Sequence, residues 1–95
     1  MMFRIVTGTV LAGQAEEAAR RWEETVAAEL AGLPEFRHAF VGGDVDGTRF
    51  AVVTVWERLP DPAVSRRLLR GFEARVKDIL PGPLVVEAYD MLVEV

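Results

Sequence analysis

The sequence predicts an α+β domain in which strands and helices follow the order β-α-β-β-α-β, with one four-stranded antiparallel sheet carrying both helices on one face. Three observations predict it. The run Arg49 to Arg58, RFAVVTVWER, is β-branched or aromatic at most positions and is bounded by Asp46-Gly47 and by Leu59-Pro60-Asp61-Pro62. Two stretches, one on each side of that run, repeat apolar residues at helical spacing. Glycine- and proline-rich breaks separate these elements from shorter runs that alternate like strands.

Phe3 to Leu11 is the first strand, with Phe3, Ile5, Thr7 and Thr9 on one face and Arg4, Val6, Gly8 and Val10 on the other. Ala12-Gly13 ends it. From Gln14 to Ala31 the apolar residues Ala15, Ala18, Ala19, Trp22, Val26 and Leu30 form a helical stripe, and Glu16 and Glu17 precede Arg20 and Arg21 by four residues in the favourable order. The alanines let this helix lie close to the sheet, with Trp22 as its one large side chain. Gly32-Leu33-Pro34 stops it.

Phe36 to Val41 is a short second strand, with Phe36, His38 and Phe40 expected on one face and Arg37, Ala39 and Val41 on the other. The turn-rich segment from Gly42 to Gly47 makes it a hairpin with the central strand. Asp61 is a good N-cap and Pro62 suits the first position of the second helix, in which Val64, Leu68, Phe72, Val76 and Leu80 recur every four residues. Gly71 weakens it, and Pro81-Gly82-Pro83 halts it. Leu84 to Val95 is expected as the last strand.

With 95 residues there is room for one domain, residues 1–95, and a chain so short buries only about 60–65% of its unfolded surface. The net charge of −4 and the pI near 4.9 argue against nucleic acid or an anionic membrane as partner. No cysteine is present, which removes disulfides, thiolate metal sites and a cysteine nucleophile. No apolar run approaches the roughly 18–20 residues of a membrane span, and Met1 to Val10 lacks the features of a signal peptide, so a cytoplasmic location is expected. No glycine-rich phosphate loop or metal-spaced His/Asp/Glu cluster appears, and no metal or cofactor is expected.

Two helices of about 10 Å width cover a four-stranded sheet once. Strands one, three and four are nevertheless apolar on both faces, and leaving five or six such side chains wet would forgo roughly 10 kcal/mol. A symmetric homodimer packed through the open sheet face is the expected remedy.

His38, the only histidine, is the natural candidate for a general base, although a lone histidine on a strand is more often structural. Trp22, Trp56 and Phe72 are candidate walls for a flat apolar or aromatic ligand, against a role in core packing. Tyr89 is a candidate donor to a substrate oxygen, against a dimer contact. Arg66, Arg67 and Arg70 read as a solvated helix face. Arg49 to Val53 has a faint likeness to an RNA-binding strand, but carries one aromatic where such strands stack bases on two.

The residues Val52 to Arg58, VVTVWER, together with Gly13, the Phe72-Glu73-Ala74 stretch and the order of elements, resemble the dimeric α+β barrel proteins of ferredoxin-like topology, in particular the antibiotic biosynthesis monooxygenase-like group. The resemblance implies a ligand pocket in each subunit between the sheet and its helices, and dimerisation through the opposite face. It implies functions ranging from oxygenases of aromatic polyketides and quinols that use no cofactor to haem degradation; the alternative to an enzyme is a non-catalytic homodimer that binds a small ligand or serves as a structural unit. The haem-degrading pattern looks for an asparagine on strand one and a tryptophan and a histidine on helix two. Here Val6, Val64 and Val76 stand at those places.

Overall fold

The computed structural model describes residues 1–95. Its strands are β1 (Met2–Thr9), β2 (Phe36–Gly43), β3 (Arg49–Trp56) and β4 (Val85–Asp90), joined into one antiparallel sheet of order β2-β3-β1-β4. The first helical segment is α1 (Ala15–Trp22), which continues through a π-helical stretch, Glu23–Ala27, into α2 (Ala28–Ala31); the second is α3 (Pro62–Val76). The expected order of elements is therefore the observed one. No helix is long and apolar enough to cross a membrane.

The most apolar run takes the place where it is best covered. Strand β3 pairs with β1 and β2, and its residues Phe50, Val52 and Trp56 form the floor of the core beneath the helices. Ala15, Ala18, Val26 and Leu30 descend on them from the first helical segment, and Phe72 and Val76 from α3. Phe50 and Phe72 stack with ring centroids 5.7 Å apart. The close approach that small residues permit is visible at Gly43, where an added Cβ would come within 2.8 Å of Ala15 Cβ.

Several boundaries differ from the expectation, β1 among them, which ends at Thr9 and not at Leu11. Helix α3 is capped as predicted, Asp61 Oδ1 accepting from Ala63 N at 2.8 Å, but it ends at Val76 and not at Leu80. The chain turns there, Ile79 N and Leu80 N both donating to the Val76 carbonyl at 3.0 and 2.8 Å, and Leu11 N takes the Ile79 carbonyl at 2.8 Å where Ile79 and Leu80 join the core. Strand β4 spans six residues and stops at Asp90, opposite Met2, where β1 begins, with one further bond from Met91 N to the Met1 carbonyl at 3.0 Å. Strand β2 runs on to Gly43.

A bulge in β2 has the largest consequence. Phe36 pairs with Trp56, but His38, not Arg37, pairs with Val55, so one extra residue is inserted at Arg37. Strict alternation would keep Phe36, His38 and Phe40 together. The bulge instead puts Phe36 on the helix side, its ring edge-on to Trp56 at 5.4 Å, and turns His38 and Phe40 to the open face beside Val55 and Val53. That open face also holds Phe3, Ile5, Val85 and Tyr89, by the registers of β1 and β4.

Candidate functional site

A cavity of about 430 Å³ lies between the helix-side face of the sheet and the two helical segments. Four parts of the chain wall it. The sheet gives Arg4, Val6, Val52, Thr54 and Trp56, with Val86 at its β4 edge; the first helical segment gives Trp22, Val26 and Leu30; the β3–α3 connection gives Leu59 and Pro60; and α3 gives Ser65, Leu68, Leu69 and Phe72 among others. This volume falls within the range of small-molecule sites.

The walls follow from local structure. Trp22, Val26 and Leu30 are spaced by four, and the π-helical stretch lies between the first and the last of them. Thr25 Oγ1 donates to the Arg21 carbonyl at 2.7 Å, a side-chain bond to the very carbonyl an α-helical backbone would use at that position. Trp56 is almost wholly buried, and its indole N–H donates to Thr54 Oγ1 at 2.8 Å. That bond satisfies the polar end of the ring and fixes the plane it presents to the cavity.

One charged side chain reaches in from the sheet. Arg4 stands on β1 between Thr54 of β3 and Ala88 of β4, and its Nη1 donates to Ser65 Oγ on α3 at 3.0 Å. Its Nε is shut off from solvent and has no acceptor, and the guanidinium takes part in none of the chain's ion pairs. Burial alone pulls its pKa down from the ordinary arginine value, with no carboxylate opposing the shift. Arg66, at the cavity's outer rim, is also outside every ion pair. No aspartate, glutamate or histidine is among the lining residues.

Of the residues singled out in the sequence, Trp22, Trp56 and Phe72 meet at this cavity. His38 and Tyr89 do not. The bulge at Arg37 carries His38 to the opposite face, where its ring meets Phe40 edge-on at 5.2 Å. Tyr89 pairs with Phe3 on that same face, stacks on it at 5.4 Å, and donates its hydroxyl to Glu87 at 2.5 Å. A general base at His38 serving this cavity is thus corrected by the register of β2. Arg4 and Ser65 went unnoticed in the sequence, although Arg4 alternates with Val6, Gly8 and Val10, a charge on what is otherwise a core-facing row.

A second, more polar hollow of about 480 Å³ lies by the β2–β3 turn, among Gly13, Glu16, Asp44 and Asp46. Its Asp44 carboxylate is occupied by the turn itself, accepting from Thr48 N at 2.9 Å and from Arg49 N at 3.1 Å, and these bonds hold its pKa below the usual carboxylate range. Nowhere do three or more aspartates, glutamates and histidines gather in a way that would hold a metal ion.

No family model matches the chain, and no curated protein does. Solved structures do. A Streptomyces coelicolor monooxygenase, the ActVA-Orf6 product in complex with nanaomycin D, superposes with a TM-score of 0.80 at 17% identity, over 99% of this chain and 89% of its own. A Nitrosomonas europaea protein provisionally assigned as an antibiotic biosynthesis monooxygenase gives 0.75 at 18%, over 98% and 100%. SnoaB, a cofactor-independent oxygenase of Streptomyces nogalater, gives 0.70 at 17%, over 98% and 94%. The likeness is one of fold: this chain has the ferredoxin-like α+β architecture of the antibiotic biosynthesis monooxygenase-like proteins, the expectation the sequence raised.

Proposed function

We propose that the cavity is the substrate pocket of a cofactor-independent monooxygenase-like enzyme, acting on a flat aromatic or polyketide-like small molecule in a homodimer. The observation that carries this reading is the cavity of about 430 Å³ walled by Trp22, Trp56 and Phe72. Such walls favour a planar apolar ring over a sugar or a peptide. The fold shared with an oxygenase that needs no cofactor, and with a monooxygenase in complex with nanaomycin D, supports the same class of chemistry.

In that chemistry a phenolic substrate reduces dioxygen directly. One oxygen atom enters the ring in place of a C–H hydrogen, the other leaves as water with that hydrogen and the phenolic one, and the four electrons that dioxygen accepts come from the phenol as it becomes a quinone. The protein has three tasks: to exclude water, to align the ring and to favour its ionised form. With no carboxylate or imidazole in the lining, ionisation rests on the substrate's own acidity.

The homodimer is supported by the open sheet face, where Phe40, Val85 and Tyr89 are exposed. Dimerisation through it would cover the apolar row that one chain leaves wet. His38 and Tyr89 then serve as interface residues and not as catalytic ones.

The test is oxygen uptake in chelator-treated buffer with a panel of hydroxylated naphthalenes and anthracenes. Uptake of one dioxygen per quinone formed is expected. The absence of a side-chain base favours one other reading, a dimer that binds such a molecule without turning it over, and quenching of tryptophan fluorescence without oxygen uptake would establish it. Neither uptake nor quenching across the panel would overturn the pocket assignment.

A further inference from the structure

The charge of the cavity lining runs against that of the chain. The protein as a whole carries −4, yet its pocket is lined by two arginines and by no acidic side chain. Arg66 sits at the rim, exposed, where water solvates it. Arg4 is half-buried, with Nη1 held by Ser65 and Nε cut off from water without an acceptor. Elsewhere in the molecule the arginines that touch other elements are neutralised: Arg21 by Asp78 and Glu17, Arg67 by Glu29, Arg37 by Glu57. Of the arginines without a counter-ion, Arg4 is the one with a guanidinium nitrogen buried and unpaired, and so has most to gain from one.

We infer that this pocket selects an aromatic carboxylic acid, bound as its anion with the carboxylate against Arg4 and Ser65 and the ring between Trp22, Trp56 and Phe72. The inference rests on the cavity being a small-molecule site, as proposed above, and specifies what enters it. Carboxylate chemistry fits the donors in number and kind. Arg4 Nη2 has no partner, and Ser65 Oγ, which accepts from Nη1, keeps its own O–H to donate. One carboxylate oxygen can therefore meet the guanidinium while the other meets the hydroxyl, a two-point contact for which a single phenolate oxygen has half the acceptors. Ala88 and Thr54, the β4 and β3 neighbours of Arg4, are small enough to leave that end of the cavity open. Arg66 at the rim adds an attraction that draws an anion inward and weakens with salt.

The chain carries its own reporter, because its two tryptophans, Trp22 and Trp56, both line the cavity. The experiment compares 2-naphthoate with 2-naphthamide, nearly identical in shape but neutral, by tryptophan quenching and by titration calorimetry, on the wild type and on Arg4→Met. Naphthoate is expected to bind about tenfold to a hundredfold more tightly than the amide, the worth of a hydrogen-bonded charge contact, and Arg4→Met is expected to abolish the difference. Equal affinity for the two probes in the wild type would overturn the inference and leave the pocket assignment standing. Binding of neither would overturn both. The wild-type comparison decides the question even where Arg4→Met fails to fold, and Ser65→Ala, expected to narrow the preference without reversing it, provides a second variant.

Discussion

Phe40→Asp tests the proposed dimer at its most exposed aromatic contact. Phe40 lies on β2, on the open face beside Val53, and remains 59% exposed in the single chain. An aromatic side chain carries roughly 200 Å², so about 120 Å² of Phe40 is available to be covered by a second copy. At about 25 cal/mol per Å² that is worth about 3 kcal/mol per protomer, and a two-fold axis makes the contact twice. The figure is an upper bound, because ordering and desolvation offset part of it on association. Aspartate removes the contact and sets a carboxylate from each copy into an apolar interface. The dimer dissociation constant should therefore rise by at least about a hundredfold. Sedimentation velocity across a micromolar concentration series reads it directly. A wild type that stays monomeric throughout the series, or a variant that dimerises as tightly as the wild type, would refute the argument that this face is covered by a second copy.

Three other outcomes are expected. Thr54→Val leaves the buried Trp56 indole N–H without its acceptor, at a cost of about 1–3 kcal/mol, or a fall in Tm of about 4–8 °C per kcal/mol in a chain of this size; an unchanged Tm in calorimetry would mean that the bond contributes nothing. Glu17 accepts from Arg20 and Arg21, and these bonds, Arg20's first, lower its pKa from 4.5 to about 2. A carboxylate whose pKa is depressed in the folded state stabilises that state fully above its unfolded value and loses the contribution as pH falls through the folded one. The Tm gap between the wild type and Glu17→Gln should thus be widest near neutral pH and close between about pH 4.5 and 2; a gap constant over that range in thermal melts would contradict the assignment. His38→Ala, which alters only the open face, should leave naphthoate affinity within about threefold of the wild type by fluorescence titration, and a larger loss would return His38 to the binding site.

The elements were legible because their signals are periodic. Alternation on β1 and β3, the four-residue repeat of α3 and its Asp61-Pro62 start all depend on neighbours in sequence, and all appear in the structure. What could not be read was parity. A bulge adds one residue to a strand without marking it in composition, and the insertion at Arg37 reverses the face of every residue after it in β2. His38 was misplaced for that reason alone. The end of α3 was hidden because Ile79 and Leu80 continue the apolar repeat of the helix while lying in the turn that follows it, where the Ile79 carbonyl meets Leu11 N. Arg4 was visible as an exception in its row, but its meaning depends on having no carboxylate nearby, and that is a fact of three dimensions.

Parity also explains why Arg4 belongs where it is. The two faces of β1 and β3 are both apolar and would be nearly interchangeable by a one-residue slip, which exchanges every inward side chain for an outward one. In the observed register Phe3 and Ile5 lie on the open face and Arg4 and Val6 line the cavity. A slip of β1 would place Arg4 on the open face, where the proposed two-fold dimer would set that row of side chains against its own copy, arginine charges among apolar residues with no acid to receive them. The same guanidinium that gives the pocket its charge thus penalises the alternative pairing of the strand that carries it. An apolar residue at position 4 would be expected to ease folding and loosen register together. Amide exchange on β1 in Arg4→Met would detect this as faster opening of the Arg4-Thr54 and Val6-Val52 pairs relative to those of β2 with β3. Unchanged exchange would confine Arg4 to its role in the cavity.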